Sequence, residues 1–387
     1  MKLPTRLIHH RSGRTAAHTV NPPIQKASTV LFKTRQALYG EQPGYGRMGL
    51  GAHRELSDAL CLLESATQAR LAPSGLAACS LALASVLKAG DHLLYADTVY
   101  GPTRRFCERR LPAMGVRTTP FSPRIGAKIE DLIEDDTKAI FLESPGSLTF
   151  ELTDTTAFVE VAKRHDLITL IDNTWAAGVF HKPLELGVDV SIQALTKYIV
   201  GHADAFGGAV MTRDDRLSTL VAETAEDWGI SLGPDEAYTC LRGLRTLNLR
   251  LDRHQTNAMT LASWLDGHDM VSEVLYPALP DHPDHAIWQR DFTGASGLFG
   301  FVMQPVSEAQ IDAFLESLTL FGMGFSWGGY ESLIIPFNEQ LKRMEGDWTE
   351  RQKGPLFRVH AGLEDADDLI ADLSQAFDVM LTKKTLD

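Results

Sequence analysis

Residues 191–204 have the sequence Ser-Ile-Gln-Ala-Leu-Thr-Lys-Tyr-Ile-Val-Gly-His-Ala-Asp, and the fold is organised around them. The apolar residues before Thr196 predict the end of a strand, and Lys197 follows at once. Desolvation lowers the pKa of a lysine and supplies the neutral amine that attacks an aldehyde. This stretch alone is equally compatible with a lysine that simply reaches solvent. The neighbouring motifs decide between the two interpretations.

Length and composition predict a globular protein with one large domain or two domains. A chain of 387 residues suits two domains, or one large domain with an appendage. Hydrophobic residues make up 44% and charged residues 22%, which is typical of a globular chain. The net charge of -13 disfavours nucleic acid as a partner, although a local pocket for a small anion remains compatible with it.

Cysteine spacing and the amino terminus indicate the compartment. Cys61, Cys79, Cys107 and Cys240 are scattered, which predicts free thiols in a reducing environment rather than a zinc site or a disulfide framework. The first ten residues lack the apolar run of a signal peptide, and no apolar run approaches the roughly 20 residues that span a bilayer. We therefore expect a cytoplasmic protein with no membrane partner.

Residues 1–50 have little helical periodicity and many turn formers, such as Asn21-Pro-Pro23 and Pro43-Gly44. Tyr45-Gly-Arg47 stands near the end of this segment. A segment that cannot bury itself must lie on something, so we predict an arm that contacts a neighbouring subunit.

From residue 51 onward, short apolar runs alternate with helical stretches. This alternation predicts an α/β domain with a mostly parallel sheet covered on both faces. The predicted strands are 92–96, 137–143, 167–171, 188–194 and 207–212, and the predicted helices are 52–63, 76–88, 103–111 and 158–165, with a turn at 71–75.

The remainder of the chain has fewer and more widely separated strands. We place the boundary between residues 245 and 246, which predicts a domain of residues 51–245 and a smaller α+β domain of residues 246–387. The strands predicted in the second domain are 297–303, 333–335 and 357–360, and the terminal helix is predicted at 365–381.

Polar residues that follow three of the predicted strands suggest a cofactor. Ligands of such sheets sit beyond the carboxyl ends of the strands, where Ser144, Asp172 and Lys197 all fall. Pyridoxal 5′-phosphate needs a lysine for its aldehyde, which Lys197 can supply, and a carboxylate for its ring nitrogen, which Asp172 can supply. Tyr100 could stack on the ring.

The phosphate of this cofactor needs an anion site. A helix that starts at Ser74-Gly75-Leu76 would present free backbone N–H groups and the positive end of its dipole. The Thr196 hydroxyl and the Arg47 guanidinium are further candidates for the phosphate.

In combination, these motifs resemble the Cys/Met-metabolism family of pyridoxal-phosphate enzymes, and the resemblance covers nearly the whole chain. The motifs are Tyr45-Gly-Arg47, Ser74-Gly75, Tyr100, Asp172-Asn-Thr-Trp175, Thr196-Lys197-Tyr198, Gly201-His202 and Ser326-Trp-Gly-Gly-Tyr-Glu-Ser332. The resemblance implies the aminotransferase-like fold type I and a homotetramer, a dimer of dimers with shared active sites. It also implies that Tyr45 and Arg47 reach into the neighbour's site, with Arg47 on the phosphate.

Within the family, several residues resemble the β-lyase branch, whose members cleave L-cystathionine to homocysteine, pyruvate and ammonia. They are Glu143-Ser-Pro-Gly-Ser147, Ser191-Ile-Gln-Ala194 and Ser326-Trp327. The resemblance implies that Arg358 holds the α-carboxylate of the amino-acid substrate, with Ser326, Trp327 and Tyr45 beside the substrate. It also implies that Lys197 removes the Cα proton, and that Tyr45 and Tyr100 assist proton transfer.

Three positions depart from this branch. Met48 stands where β-lyases often carry a second arginine, and Arg104-Arg105 stands where some relatives place an acidic residue. By resemblance these positions lie towards the far end of the substrate, so recognition of the distal group of cystathionine is in question. Ala194 stands where some members use a serine on the phosphate.

Several alternatives to a cystathionine β-lyase stay open. A broader cysteine-S-conjugate or cysteine β-lyase would fit the departures, and a γ-lyase or γ-synthase would fit the family. A non-enzymatic sensor with the same fold is a rival from another class, although it would not need the complete set of elimination residues. The chain contains 13 histidines but no metal-binding motif, and we predict Asp281-His-Pro-Asp-His285 to be a polar loop without metal.

Overall fold

A large sheet with seven strands carries the predicted site. A computed structural model describes residues 1–10, 19–40, 44–344, 348 and 354–383. The strand order is β1-β7-β6-β5-β4-β2-β3, and β7 is antiparallel to its neighbours whereas the other strands share one direction. The strands are β1 (Gln68–Ala72), β2 (His92–Ala96), β3 (Arg117–Phe121), β4 (Thr137–Glu143), β5 (Ile168–Asp172), β6 (Val190–Gln193) and β7 (Gly208–Thr212).

The central strands are apolar because both faces of the sheet are covered. Every residue of β2, β5, β6 and β7 is buried, as expected for parallel strands between two helical layers. The helices before and within this domain are α1 (Leu3–Ile8), α2 (Arg35–Leu38), α3 (Gly51–Glu64), α4 (Gly75–Val86), α5 (Gly101–Ala113), α6 (Thr155–Arg164), α7 (Pro183–Leu186), α8 (Asp215–Asp227) and α9 (Pro234–Leu244).

A second, antiparallel sheet follows in the C-terminal part. Its order is β10-β11-β9-β8, formed by β8 (Val271–Leu275), β9 (Leu298–Met303), β10 (Leu333–Pro336) and β11 (Leu356–His360). The helices here are α10 (Leu247–Asp266), α11 (His285–Asp291), α12 (Glu308–Ser317) and α13 (Ala366–Thr382), with short 3₁₀ turns at Gly46–Met48, Gly126–Leu132 and Asn338–Gln340. A mostly parallel sheet plus a smaller antiparallel sheet is the predicted α/β class with an α+β addition, whereas the boundary at residues 245 and 246 stays a prediction.

The two edges of the large sheet were missed in the sequence. Residues 71–72 of β1 fall in the predicted turn at residues 71–75 and residues 68–70 had no predicted structure, but the strand pairs with β7 along its whole length. β3 contains Pro120, which is tolerated because this strand pairs only with β2 at the edge. Both strands carry polar residues and an incomplete buried pattern, so neither produced the apolar run that marks the central strands.

Residues 1–50, predicted as an arm with little helical periodicity, contain the short helices α1 and α2. Residues 3–8 form α1, and Leu7 is buried with Leu56 and Leu60 of α3 in one core cluster. Arg245 donates to the carbonyl oxygen of Leu7, which attaches the segment to its own chain. Part of the predicted arm, residues 11–18 and 41–43, lies outside the described residues.

None of the helices in the described part of the chain combines the length and apolar character of a membrane span.

Candidate active site

Ten of the twelve predicted site residues line one cavity of about 340 Å³ beyond the carboxyl ends of the parallel strands. The large domain contributes most of them, and the C-terminal part contributes three. They are Ser74, Gly75, Leu76, Tyr100, Asp172, Thr196, Lys197, Ser326, Trp327 and Arg358.

Lys197 has the environment of a reactive amine. Burial, and next the positive charge of Arg358, lower its pKa from 10.5 to about 8, although Asp172 opposes the change. Its Nζ donates to Ser326 Oγ at 2.8 Å and lies 5.1 Å from the centre of the Trp327 ring. A substantial fraction of the amine is therefore neutral near pH 8.

Asp172 is a buried carboxylate held at the end of β5. Its Oδ1 accepts from the backbone N–H and the hydroxyl of Thr174, at 3.0 and 2.5 Å, and its Oδ2 accepts from the Cys79 thiol at 3.6 Å. The Thr174 hydroxyl also accepts the N–H of Ala194 at 2.8 Å. One side chain thus joins Asp172 to the segment that leads to Lys197.

Behind these two strand ends lies a second buried carboxylate, Glu64. It accepts from Gln193 Nε2 at 2.6 Å, from Asn173 Nδ2 at 3.1 Å and from Ser191 Oγ at 3.1 Å. Burial raises its pKa, and these donors oppose the rise. Asn173 follows Asp172 and Gln193 precedes the lysine segment, so Glu64 supports both sides of the site.

The start of α4 is shaped for an anion. Ser74 caps the helix by accepting the N–H of Ala77 at 3.1 Å. A Cβ added to Gly75 would lie 2.4 Å from the Ala194 Cβ, so only glycine allows this close approach. The Thr196 hydroxyl donates to the carbonyl oxygen of Gly207 at 3.2 Å and accepts its N–H at 3.1 Å. A helix start with free N–H groups binds phosphate readily.

Arg358 and residues 326–327 face this helix start from the C-terminal part. Arg358 projects from β11, and its Nη2 donates to the carbonyl oxygen of Ser326 at 3.2 Å. Burial lowers the pKa of Arg358 to about 10. Ser326 has φ +88°, a region that non-glycine residues rarely adopt. Backbone strain of this kind concentrates at functional sites.

Tyr100 lies at the cavity mouth, directly before α5, with 45% of its surface exposed. Glu143 accepts its backbone N–H at 2.6 Å. Burial, and next the charge of Glu143, raise the pKa of Tyr100. Glu143 was quoted in the sequence only as part of a motif, although a buried carboxylate that ends an apolar strand is itself a signal.

Tyr45 and Arg47 do not line this cavity in the described part of the chain. Tyr45 is 47% exposed, and Arg47 lies 5.8 Å from the centre of its ring. Arg47 donates to the carbonyl oxygen of Glu226 at 3.5 Å, at the end of α8. Met48 lies in the same 3₁₀ turn.

The two adjacent arginines after Tyr100 have different environments. Arg104 is buried, pairs with Asp97 at 2.6 Å and with Glu108 at 2.7 Å, and is therefore committed to structure rather than to a substrate. Both arginines line an adjacent cavity that shares Ser147 with the first. Their position towards the far end of the substrate stays a prediction.

Residues 281–284 form turns before α11, which agrees with the polar loop predicted at residues 281–285. Two side chains of this loop, His282 and Asp284, are nonetheless buried. Asp284 accepts from Arg124 at 2.8 Å and from the N–H of Leu152 at 3.0 Å. This carboxylate therefore pairs with an arginine and connects the C-terminal part to the large domain.

The cavity residues fit pyridoxal 5′-phosphate. Burial raises the pKa of Asp172, so this carboxyl group needs a cationic partner to stay ionised, and a protonated ring nitrogen is such a partner. Lys197 supplies the amine for the aldehyde. The start of α4 supplies N–H groups for the phosphate, and Gly75 keeps that approach open.

Comparisons with known proteins agree with this chemistry. The family model described as Cys/Met metabolism PLP-dependent enzyme matches residues 4–378. A cystathionine beta-lyase of Salmonella typhimurium is 43% identical over 390 residues, which cover 97% of this chain and 98% of that protein. A cystathionine gamma-lyase structure from Lactobacillus plantarum, complexed with L-serine, has a TM-score of 0.90 at 32% identity and covers 98% of this chain and 100% of its own. A cystathionine gamma synthase structure from Xanthomonas oryzae pv. oryzae, in complex with aminoacrylate and cysteine, has a TM-score of 0.91 at 31% identity. The match covers 98% of this chain and 99% of that chain.

Proposed function

Because the chain belongs to the Cys/Met metabolism family of pyridoxal-phosphate-dependent enzymes, we propose that it is a carbon–sulfur lyase that cleaves L-cystathionine by β-elimination. Water enters the overall reaction, and homocysteine, pyruvate and ammonia leave it. The observation that carries the proposal is the single cavity in which Lys197, Asp172 and Arg358 meet. The higher identity to a β-lyase than to the two γ-enzymes supports the β position.

Arg358 binds the α-carboxylate of the substrate and so orients the Cα–H bond. A guanidinium pairs with a carboxylate through two parallel hydrogen bonds. Its contact with the carbonyl oxygen of Ser326 holds the guanidinium in the cavity. Fixed orientation of this kind contributes strongly to the rate.

Lys197 takes the proton from Cα. Its lowered pKa provides a neutral amine near physiological pH, and Ser326 Oγ directs the Nζ by hydrogen bonding. Pyridoxal 5′-phosphate, when bound, supplies a protonated ring that accepts the electrons released at Cα, and Asp172 keeps that ring protonated. In this proposal Lys197 and Tyr100 deliver protons as the thiolate leaves Cβ.

The phosphate is held by the start of α4, at Ser74, Gly75 and Leu76, and by Thr196. Arg47 and Tyr45 complete the site from a neighbouring subunit, which is consistent with their position away from the cavity of their own chain. This arrangement implies a homotetramer, a dimer of dimers, with residues 1–50 as the connecting arm. Residues 51–245 and 246–387 form the two domains of each subunit. We place the enzyme in the cytoplasm, in methionine biosynthesis and transsulfuration.

A broader cysteine-S-conjugate or cysteine β-lyase is the second candidate, because by resemblance Arg104-Arg105 stands where some relatives place an acidic residue. A γ-lyase or a γ-synthase is a third, since structures of both kinds are similar over nearly the whole chain.

Release of free thiol from L-cystathionine tests the lyase proposal. The wild type should release thiol, and Lys197→Ala should release none while the exposed-residue control Lys88→Ala keeps full activity. Thiol release that persists in Lys197→Ala would contradict the assignment. A wild-type protein that binds cofactor but releases no thiol from any cysteine conjugate would instead support a sensor.

A further inference from the structure

Glu143 is a buried carboxylate in the cavity to which the proposed reaction gives no role. It ends β4, and it is paired in register with Asp172 at the end of β5. Burial, and next the charge of Asp172, raise its pKa well above the usual range. Burying a carboxylate costs free energy unless hydrogen bonds compensate. The hydrogen bonds of Glu143 therefore indicate its role.

Both oxygens of Glu143 accept hydrogen bonds from loops that border the cavity. Oε2 accepts the backbone N–H of Tyr100 at 2.6 Å, and Oε1 accepts the hydroxyl of Ser147 at 2.6 Å. Both hydrogen bonds favour the ionised form and so oppose the rise in the pKa of Glu143. Glu143 therefore joins the loop after β2 to the loop after β4.

Packing does little to fix Tyr100. Its side chain is 45% exposed, and it caps α5 without a side-chain hydrogen bond of its own. The position of the ring is then set by its main chain, and Glu143 holds the N–H of that main chain.

We propose that Glu143 is a positioning residue that places Tyr100 over the reacting centre through its backbone N–H. The inference rests on the proposed role of Tyr100 in the reaction. Glutamine changes these bonds without removing them: its carbonyl oxygen can accept the N–H of Tyr100, while its amide must donate to the Ser147 hydroxyl. The contact with Ser147 is then reversed, and the hold on the Tyr100 N–H loses the carboxylate charge. Aspartate keeps the charge but is one methylene too short to reach both donors.

The test combines Glu143→Gln with Tyr100→Phe in the holoenzyme. We expect Glu143→Gln to lower kcat/KM about tenfold, as a small displacement of a reacting group does. In the Tyr100→Phe background the same substitution should cost less than about twofold, because the group it positions has lost its hydroxyl. Glu143→Asp should lose at least as much activity as Glu143→Gln, because it keeps the charge but cannot reach both donors.

Two further measurements exclude a merely structural role. The visible circular dichroism of the bound cofactor, which reports the surroundings of its ring, should change in Glu143→Gln with the melting temperature kept within a few degrees. Glu151→Gln is the matched control: it removes another buried carboxylate nearby, bonded to Arg343 and Thr149. Glu151→Gln should lower kcat/KM by the same factor whether residue 100 is tyrosine or phenylalanine.

Equal losses from Glu143→Gln in both backgrounds would overturn the proposal, as would an unchanged dichroism band. If Glu143→Gln does not fold, Glu143→Asp takes its place in the same cycle, and equal losses again overturn the inference. Failure of the β-lyase function itself would appear separately in the unmodified enzyme, as absence of thiol release or as formation of 2-oxobutyrate in place of pyruvate.

Discussion

The pKa of Lys197 makes a quantitative prediction about cofactor binding. The apoenzyme should bind pyridoxal 5′-phosphate at a rate proportional to the neutral fraction of this amine. With a pKa of about 8, that fraction is about one-tenth at pH 7 and about nine-tenths at pH 9. The rate should therefore rise about tenfold between these pH values and level off above pH 9. A lysine with the ordinary pKa of about 10.5 would instead give about a hundredfold rise in the binding rate over the same pH range, with no plateau.

The assay is stopped-flow absorbance of apoenzyme mixed with the cofactor across this pH range. Arg358→Met should move the midpoint to higher pH, because the guanidinium is a cause of the lowered pKa second only to burial. The exposed control Arg216→Met should leave it in place. A pH–rate profile without a plateau below pH 10 would refute the reasoning, and so would a midpoint that is the same in Arg358→Met as in the wild type.

Three further perturbations test separate parts of the structure. Gly75→Ala should weaken cofactor binding at least fivefold, because the added Cβ would lie 2.4 Å from the Ala194 Cβ and overpacking costs about 1–3 kcal/mol. Equilibrium titration of the apoenzyme with the cofactor measures the affinity. An unchanged affinity would contradict the close approach. Arg358→Lys should raise KM for cystathionine about tenfold or more, since one ammonium cannot form the two parallel hydrogen bonds of a guanidinium. Steady-state kinetics measure KM. An unchanged KM would argue against binding of the substrate α-carboxylate by Arg358. Asp284→Asn should lower the free energy of unfolding by about 2 kcal/mol, because it removes the shorter ion pair of the partly buried Arg124 and keeps the longer one with Glu151. Urea denaturation measures the loss, and a change below about 1 kcal/mol would show that the pair contributes little.

The central strands and the residues at their ends were predictable from the sequence. β2 and β4 were predicted with the bounds that the structure has, because a strand buried on both faces needs an unbroken apolar run. Asp172 and Lys197 follow such runs, and the ends of adjacent parallel strands meet at one edge of the sheet. Their convergence in one cavity therefore followed from pattern and topology.

Edge strands and buried charges were not predictable in the same way. β3 is polar and contains a proline, so its sequence resembles a loop until its pairing with β2 is known. Arg104 and Arg105 are neighbours in sequence, yet only Arg104 is buried. The spacing to Glu108, four residues on, was the one local signal for an ion pair on α5.

The keto acid formed from L-cystathionine tests the central claim most directly, since it records which bond to sulfur breaks. Lactate dehydrogenase with chromatography of the products distinguishes pyruvate from 2-oxobutyrate. The account predicts pyruvate in a one-to-one ratio with homocysteine, with both products absent from Lys197→Ala. Formation of 2-oxobutyrate and cysteine instead would place the cleavage at Cγ and contradict the proposal.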